Sequence, residues 1–285
     1  MRKHLQGIDH VVNAVDDMEQ AAASFRRLGF TLTPRGRHTT GSENHCVMFE
    51  RDYFELLSVP TPHPVTRYYQ DFLDQGEGLA ALALATDDAR GCHDELAAAG
   101  IAIDPPVDFS RPVELPHGTF DAAFRITQLA AEATPSGRVF ACQHFTRDVV
   151  WRPEYQQHPN RVTCLARVVG VADPAQLEAL AQRYAAIFGV VSQPGAIGSA
   201  PCLEIDTGNA PISFTTPAGL AQLLPGIGAP TRPLPCFAAL YLRSVDLAAA
   251  RETLRANGVP CVQLSSQSFA VSPEHGHGVA LVFTE

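Results

Sequence analysis

Apolar and polar positions along this chain fall into one pattern that returns four times: a short apolar run, an Asp, a stretch with helical spacing, a Gly, then further strand-like runs. The Asp and Gly pairs are Asp17 and Gly29, Asp88 and Gly100, Asp173 and Gly189, and Asp246 and Gly258. An Asp accepts hydrogen bonds from the free amides of a helix start, and a Gly supplies the left-handed residue that ends one. Each pair is therefore expected to bracket a helix. In the first, Met18, Ala21, Ala22, Phe25 and Leu28 recur at helical spacing, which gives that helix one buried face.

The strands expected before the helices are residues 8–15, 79–85, 162–171 and 237–242, rich in Val, Leu, Ala and aromatics. Residues 30–33, 45–49 and 53–59 follow the first helix, punctuated by Pro34, Gly36, Gly41 and the Arg51-Asp52 turn. The later copies end in residues 120–129 and 139–145, 202–206 and 212–215, and 268–271 and 278–284. Each unit reads as βαβββ, so the chain is α+β, with four modules in two tandem halves. Pro-rich connections at 151–160 and 225–235 separate copies, and the first is the better boundary. The expected organisation is an N-terminal domain over 1–149, a linker over 150–161 with aromatic residues that pack it across the halves, and a C-terminal domain over 162–285.

The 285 residues suffice for two such cores. The net charge of −9 is dispersed, with no basic stripe to displace counterions from a phosphate backbone, so nucleic acid is not an expected partner. No run reaches the roughly 18 apolar residues of a membrane span, and no signal peptide opens the chain, so a cytoplasmic protein is expected. Seven cysteines without a C-x-x-C pair suggest buried, reduced thiols rather than a disulfide framework.

Alternation along the first strand puts Ile8, His10, Val12 and Ala14 on one face, and along residues 53–59 it puts Tyr53, Glu55, Leu57 and Val59 together. A carboxylate in an apolar row is costly without a partner. In the last strand of the second copy, Phe140, Cys142, His144 and Thr146 share a face, and Gln143 points away, although a one-residue slip exchanges Gln143 and His144. That places an imidazole where Glu55 stands in the first copy. If two modules face each other across a curved sheet, His10, Glu55 and His144 converge as a divalent-metal site with open positions.

The four βαβββ units, the run Gly7-Ile-Asp-His-Val-Val12, the run Tyr53-Phe-Glu-Leu-Leu57, and the stretch from Cys142-Gln-His-Phe-Thr146 to His158-Pro-Asn160 resemble the vicinal oxygen chelate superfamily, and within it the glyoxalase-like domain proteins. The resemblance implies two glyoxalase/bleomycin-resistance/dioxygenase-like domains whose paired modules form a cup, with metal ligands on the first and last strands of each module. Counting seven residues back from each helix Asp gives His10, then Ala81, Ala166 and Ala239, so the site lacks a ligand at Ala81 and the C-terminal half reads as metal-free. It implies a divalent ion (zinc, nickel, manganese or iron(II)) chelated by adjacent oxygens of a small-molecule substrate, with Glu55 as ligand or proton-transfer base. Arg37, Arg111 and Arg125, with Arg35, border the expected cup and would hold an anionic substrate. His38, His45, His63 and His117 are spare imidazoles. A metal-dependent lyase or isomerase leads, a ring-cleaving iron dioxygenase and a non-catalytic binder are the alternatives, and a homodimer is among the allowed assemblies.

Overall fold

The computed structural model describes residues 1–38, 41–115, 118–228, 230 and 232–285. Four modules appear, each a strand, a helix and three strands. The first comprises β1 (Ile8–Ala14), α1 (Met18–Arg27), β2 (Gly36–Arg37), β3 (Glu43–Met48) and β4 (Tyr53–Ser58). After an additional helix, α2 (Arg67–Leu73), come β5 (Gly78–Ala85), α3 (Ala89–Ala98), β6 (Val107–Leu115), β7 (Gly118–Gln128) and β8 (Arg138–His144). A short helix, α4 (Arg147–Val150), opens the connection to β9 (Val162–Val171), α5 (Leu177–Phe188), β10 (Gln193–Ile197), β11 (Ala200–Ile205) and β12 (Ile212–Thr215). Helix α6 (Pro217–Leu223) then leads to β13 (Cys236–Ser244), α7 (Leu247–Ala256), β14 (Val262–Ser265), β15 (Ser268–Val271) and β16 (Ala280–Thr284).

Three of the helix starts are capped as their Asp residues suggest: Asp17 accepts from the amides of Glu19 and Gln20, Asp88 from Gly91, and Asp246 from Ala249. The third helix differs. It begins at Leu177 behind Gln176, and Asp173 lies a turn earlier, its carbonyl accepting from Gln176 N at 2.9 Å. At the other ends, Gly29, Gly100, Gly189 and Gly258 all have positive φ, between 65° and 83°, where a Cβ would be strained. Residues 30–33 are not a strand: Thr33 N makes one bond to Cys46 O, Pro34 has no donor, and pairing resumes only at Gly36.

The modules pair into two eight-stranded sheets, ordered β2-β3-β4-β1-β5-β8-β7-β6 and β10-β11-β12-β9-β13-β16-β15-β14. In each, the first strands of two modules run antiparallel at the centre, and each is flanked by the last strand of its own module in parallel. One face of each sheet packs on the helices in a core that continues from one half into the other through Phe25, Phe30, Leu254 and Phe283, with the Phe30 and Phe283 rings 6.1 Å apart. Burying each such side chain stabilises by roughly 1.5–3 kcal/mol. Polar side chains finish the seam: Asp52 accepts from Leu165 N at 2.9 Å, and the Asn209 amide accepts from Ile8 N and donates to Ile8 O at 2.8 and 2.7 Å. The other face of each sheet lines a cup, with Cys46, Met48, Tyr53, Phe124 and Cys142 in the first and Val169, Cys202, Ala239 and Tyr241 in the second. Among the described residues no helix is long and apolar enough to cross a membrane.

Candidate metal centre

Strict alternation would put Asp9 on the helix side of β1, opposite His10. The pairing of β1 with β5 slips there, from Ile8 opposite Leu84 to His10 opposite Ala83, and this bulge changes the outcome. Ile8 joins the helix-side core, and both Asp9 and His10 turn into the cup, which corrects the expected row of Ile8 with His10. Asp9 Oδ2 accepts from His10 Nδ1 at 2.6 Å and from His144 Nε2 at 3.0 Å, all three side chains being buried. Burial alone would raise the Asp9 pKa, but the hydrogen bonds and charges of the two imidazoles outweigh it and hold the carboxyl well below its ordinary range.

His10 Nε2 faces Glu55 Oε2 across 3.8 Å, and the other Glu55 oxygen accepts from the Asn44 amide at 2.5 Å. Because His10 gives its Nδ1 proton to Asp9, the gap to Glu55 holds either a second ring proton or a place for a cation. The Tyr53 ring stacks on His10 with centroids 4.2 Å apart.

Gln143 points out of the cup, accepting from Ala89 N and donating to Asp87 O, so the imidazole of His144 is the inward group. Its Nδ1 is buried without a partner. Cys142 Sγ lies 3.7 Å from His144 Nε2, and burial, with the carboxylates of Asp9 and Glu55, raises the thiol pKa well above its ordinary value. Among the described residues, the metal-donor group whose atoms all lie within 4.8 Å of one another is Asp9, Cys142 and His144. The expected set of His10, Glu55 and His144 is thus divided, with Asp9 between its two halves. His144 also does not occupy the counterpart of Glu55. Val15 N bonds Leu57 O as Thr86 N bonds Cys142 O, so Glu55 corresponds to Phe140 and His144 lies four residues further along its strand. It is there that β8 reaches the start of β1. A nitrogen, an oxygen and a sulfur donor fit a borderline-soft divalent ion, and the reluctant thiol needs a cation to ionise.

Trp151 closes the cup over these groups, packing edge-on to Tyr53 and His144 with centroids 5.3 and 5.1 Å away, and Arg147 stacks on its outer face. Beside it a cavity of about 280 Å3 is lined by Arg35, Arg37, Arg111 and Arg152, with Cys46 and Met48 at its base. Cys46 is the cross-strand partner of Glu55, and its thiol is pushed up to about 12 by burial and by the Glu55 carboxylate. Arg37 pairs with Glu43 at 2.9 Å and Arg35 with Glu19 at 2.6 Å, whereas Arg111 has no ion-pair partner among the described residues. Arg125 is elsewhere: one edge of its guanidinium, Nε and Nη2, donates to the two Asp108 oxygens at 2.5 and 2.7 Å, and it lies over Phe145. Of the spare imidazoles, His38 bonds the Ser42 hydroxyl, His45 bonds Thr33 O, His63 caps the turn at Val65, and His117 lies outside the described residues.

Sequence alternation gave no hint of Asp9, because only the bulge brings it inward. The fixed offset also misnumbered the third copy. Val15 N bonds Leu57 O as Ala172 N bonds Thr215 O, so the counterpart of His10 is Arg167, not Ala166.

The glyoxalase-like domain family model matches residues 8–188. No curated protein matches the chain. A hypothetical protein from Staphylococcus aureus is similar in structure, with a TM-score of 0.68 at 11% identity, covering 97% of this chain and 98% of that one. A mutant of 4-hydroxymandelate synthase from Streptomyces coelicolor has a TM-score of 0.62 at 13% identity, over 99% and 93% of the two chains. A xylose isomerase-like TIM barrel/4-hydroxyphenylpyruvate dioxygenase fusion protein gives 0.63 at 11% identity, and 98% of this chain covers 48% of it. At such identities the likeness is one of fold. With the family matched over residues 8–188 and the paired βαβββ cups in place, the chain belongs to the glyoxalase-like domain family of the vicinal oxygen chelate superfamily.

Proposed function

We propose that the N-terminal cup is the active site of a metal-dependent lyase or isomerase acting on a small, oxygen-rich anionic substrate. The observation that supports this reading most is the buried Asp9, Cys142 and His144 group beside the His10–Glu55 pair, with an arginine-lined cavity that reaches Cys46, the cross-strand partner of Glu55. Asp9, Cys142 and His144 would hold the ion, which when bound supplies Lewis-acid polarisation of substrate oxygens. Glu55 is the proton acceptor: Asn44 fixes one oxygen, and Oε2 is left toward His10. Asp9 sets the orientation of the His10 ring through Nδ1, and Arg111 holds the anionic end of the substrate. Trp151, Tyr53 and Phe124 keep water from the imidazoles.

Elemental mass spectrometry of protein purified without a tag or chelator tests the assignment. About one equivalent of zinc, nickel or manganese, lost in Cys142→Ala and kept in Glu55→Gln, is the expected result. The reverse pattern would return the ion to His10, Glu55 and His144. Turnover is then sought with α-oxo aldehydes and by deuterium exchange at substrate C–H bonds, both abolished in Glu55→Gln. A second reading, an iron-dependent ring-cleaving dioxygenase, is favoured by the fold shared with the 4-hydroxyphenylpyruvate dioxygenase fusion protein. Bound iron and oxygen uptake with catechols would select it, and a protein that takes up no metal after reconstitution would be a binder.

A further inference from the structure

The second cup holds a cavity of about 470 Å3, larger than that of the first, within the size range of small-molecule sites. Its floor is polar. Arg167, at the register position of His10, uses Nη1 to bond both Glu204 and Ser213, the latter being the counterpart of Glu55. The other nitrogens of Arg167 have no protein partner among the described residues and are not sealed off, so they open to the cavity the residue lines. Tyr241 stands directly across from Arg167 on β13 and lines the same space. Ile197, Leu223 and Leu264 form an apolar wall, and Arg243 stands exposed at the rim.

A guanidinium pinned through one nitrogen presents a fixed edge, and two parallel N–H groups match the two oxygens of a carboxylate. We propose that the C-terminal cup is a second ligand site, independent of the metal centre, which takes a small organic carboxylate. The carboxylate sits on the free edge of Arg167 within reach of the Tyr241 hydroxyl, and the apolar body lies on Ile197, Leu223 and Leu264.

Ligand-observed NMR and calorimetry on the full chain test this with benzoate, phenylacetate and 3-phenylpropionate, each beside its carboxamide. At least one acid should bind, with its amide weaker by about tenfold or more, as expected for losing a charge-assisted pair. Arg167→Gln should remove the preference for the acid, and Asp9→Asn should leave it intact. If Arg167→Gln fails to fold, Leu264→Trp, which fills the cavity and keeps the Arg167–Glu204 pair, should abolish binding instead. Failure of all three acids to bind, equal affinity for acid and amide, or binding that survives Leu264→Trp would overturn the assignment. None of these results depends on whether the first cup holds a metal.

Discussion

The two cups are built on one hydrogen-bonding register yet carry charge in opposite ways, buried carboxylates and imidazoles in the first and a partly exposed guanidinium in the second. At matching positions His10 becomes Arg167, Glu55 becomes Ser213, Cys46 becomes Glu204, Ala83 becomes Tyr241 and Cys142 becomes Thr284. The first cup gathers two carboxylates, two imidazoles and two thiols, Cys46 and Cys142, a set of residue types that suits a small cation. The second cup carries its own cation on β9 and balances it with Glu204. A donor set and a built-in guanidinium stand at the same place in the two halves, and among the described residues the clustered metal donors, Asp9, Cys142 and His144, belong to the first half.

The sharpest way to break the comparison is to remove the group at the centre of the first cup. Asp9→Ala leaves His10 Nδ1 and His144 Nε2 without their shared acceptor, and denaturant unfolding should show a loss of about 3–5 kcal/mol, together with the metal of the proposed centre. A loss as small as that of an exposed ion pair would mean that Asp9 is not the hub.

Next in size is a pH effect at the seam joining the halves. Burial pushes the Asp52 carboxyl up to about 7 from an unfolded value of 3.8. Between those values the folded protein keeps a proton that the unfolded chain has released, so stability falls as pH rises from about 4 to 7. Asp52→Asn removes that slope, by up to about 1.4 kcal/mol per pH unit. Its stability relative to the parent should therefore improve from about pH 4 to pH 7 and level off above, and parallel curves would show that the carboxyl ionises as freely folded as unfolded.

The smallest effect belongs to the second cup. The Glu204 side chain is 38% exposed, so solvent screens its pairing with Arg167. A double-mutant cycle with Arg167→Gln and Glu204→Gln should give a coupling of about 1 kcal/mol or less. A coupling of several kcal/mol would make the pair a structural ion pair, comparable with the Asp9 hub, and erase the contrast between the cups.

What the sequence determined by itself was local. Asp caps, Gly terminators and apolar periodicity act within a few residues, and they were enough to read four βαβββ modules and to put Glu55, Cys142 and His144 on inward-facing rows. They misplaced the start of α5, because residues 174–176 form a turn that moves the first helical residue beyond Asp173. Only the tertiary structure decided which residues meet. A bulge is a property of two paired strands, so Asp9 became the partner of both His10 and His144 through the slip between β1 and β5. The same holds for Arg167, whose equivalence to His10 exists only in the register between β9 and its neighbours. Strand pairing is non-local, and a shift of one residue exchanges the faces of a strand, so no count along the chain could have fixed either assignment.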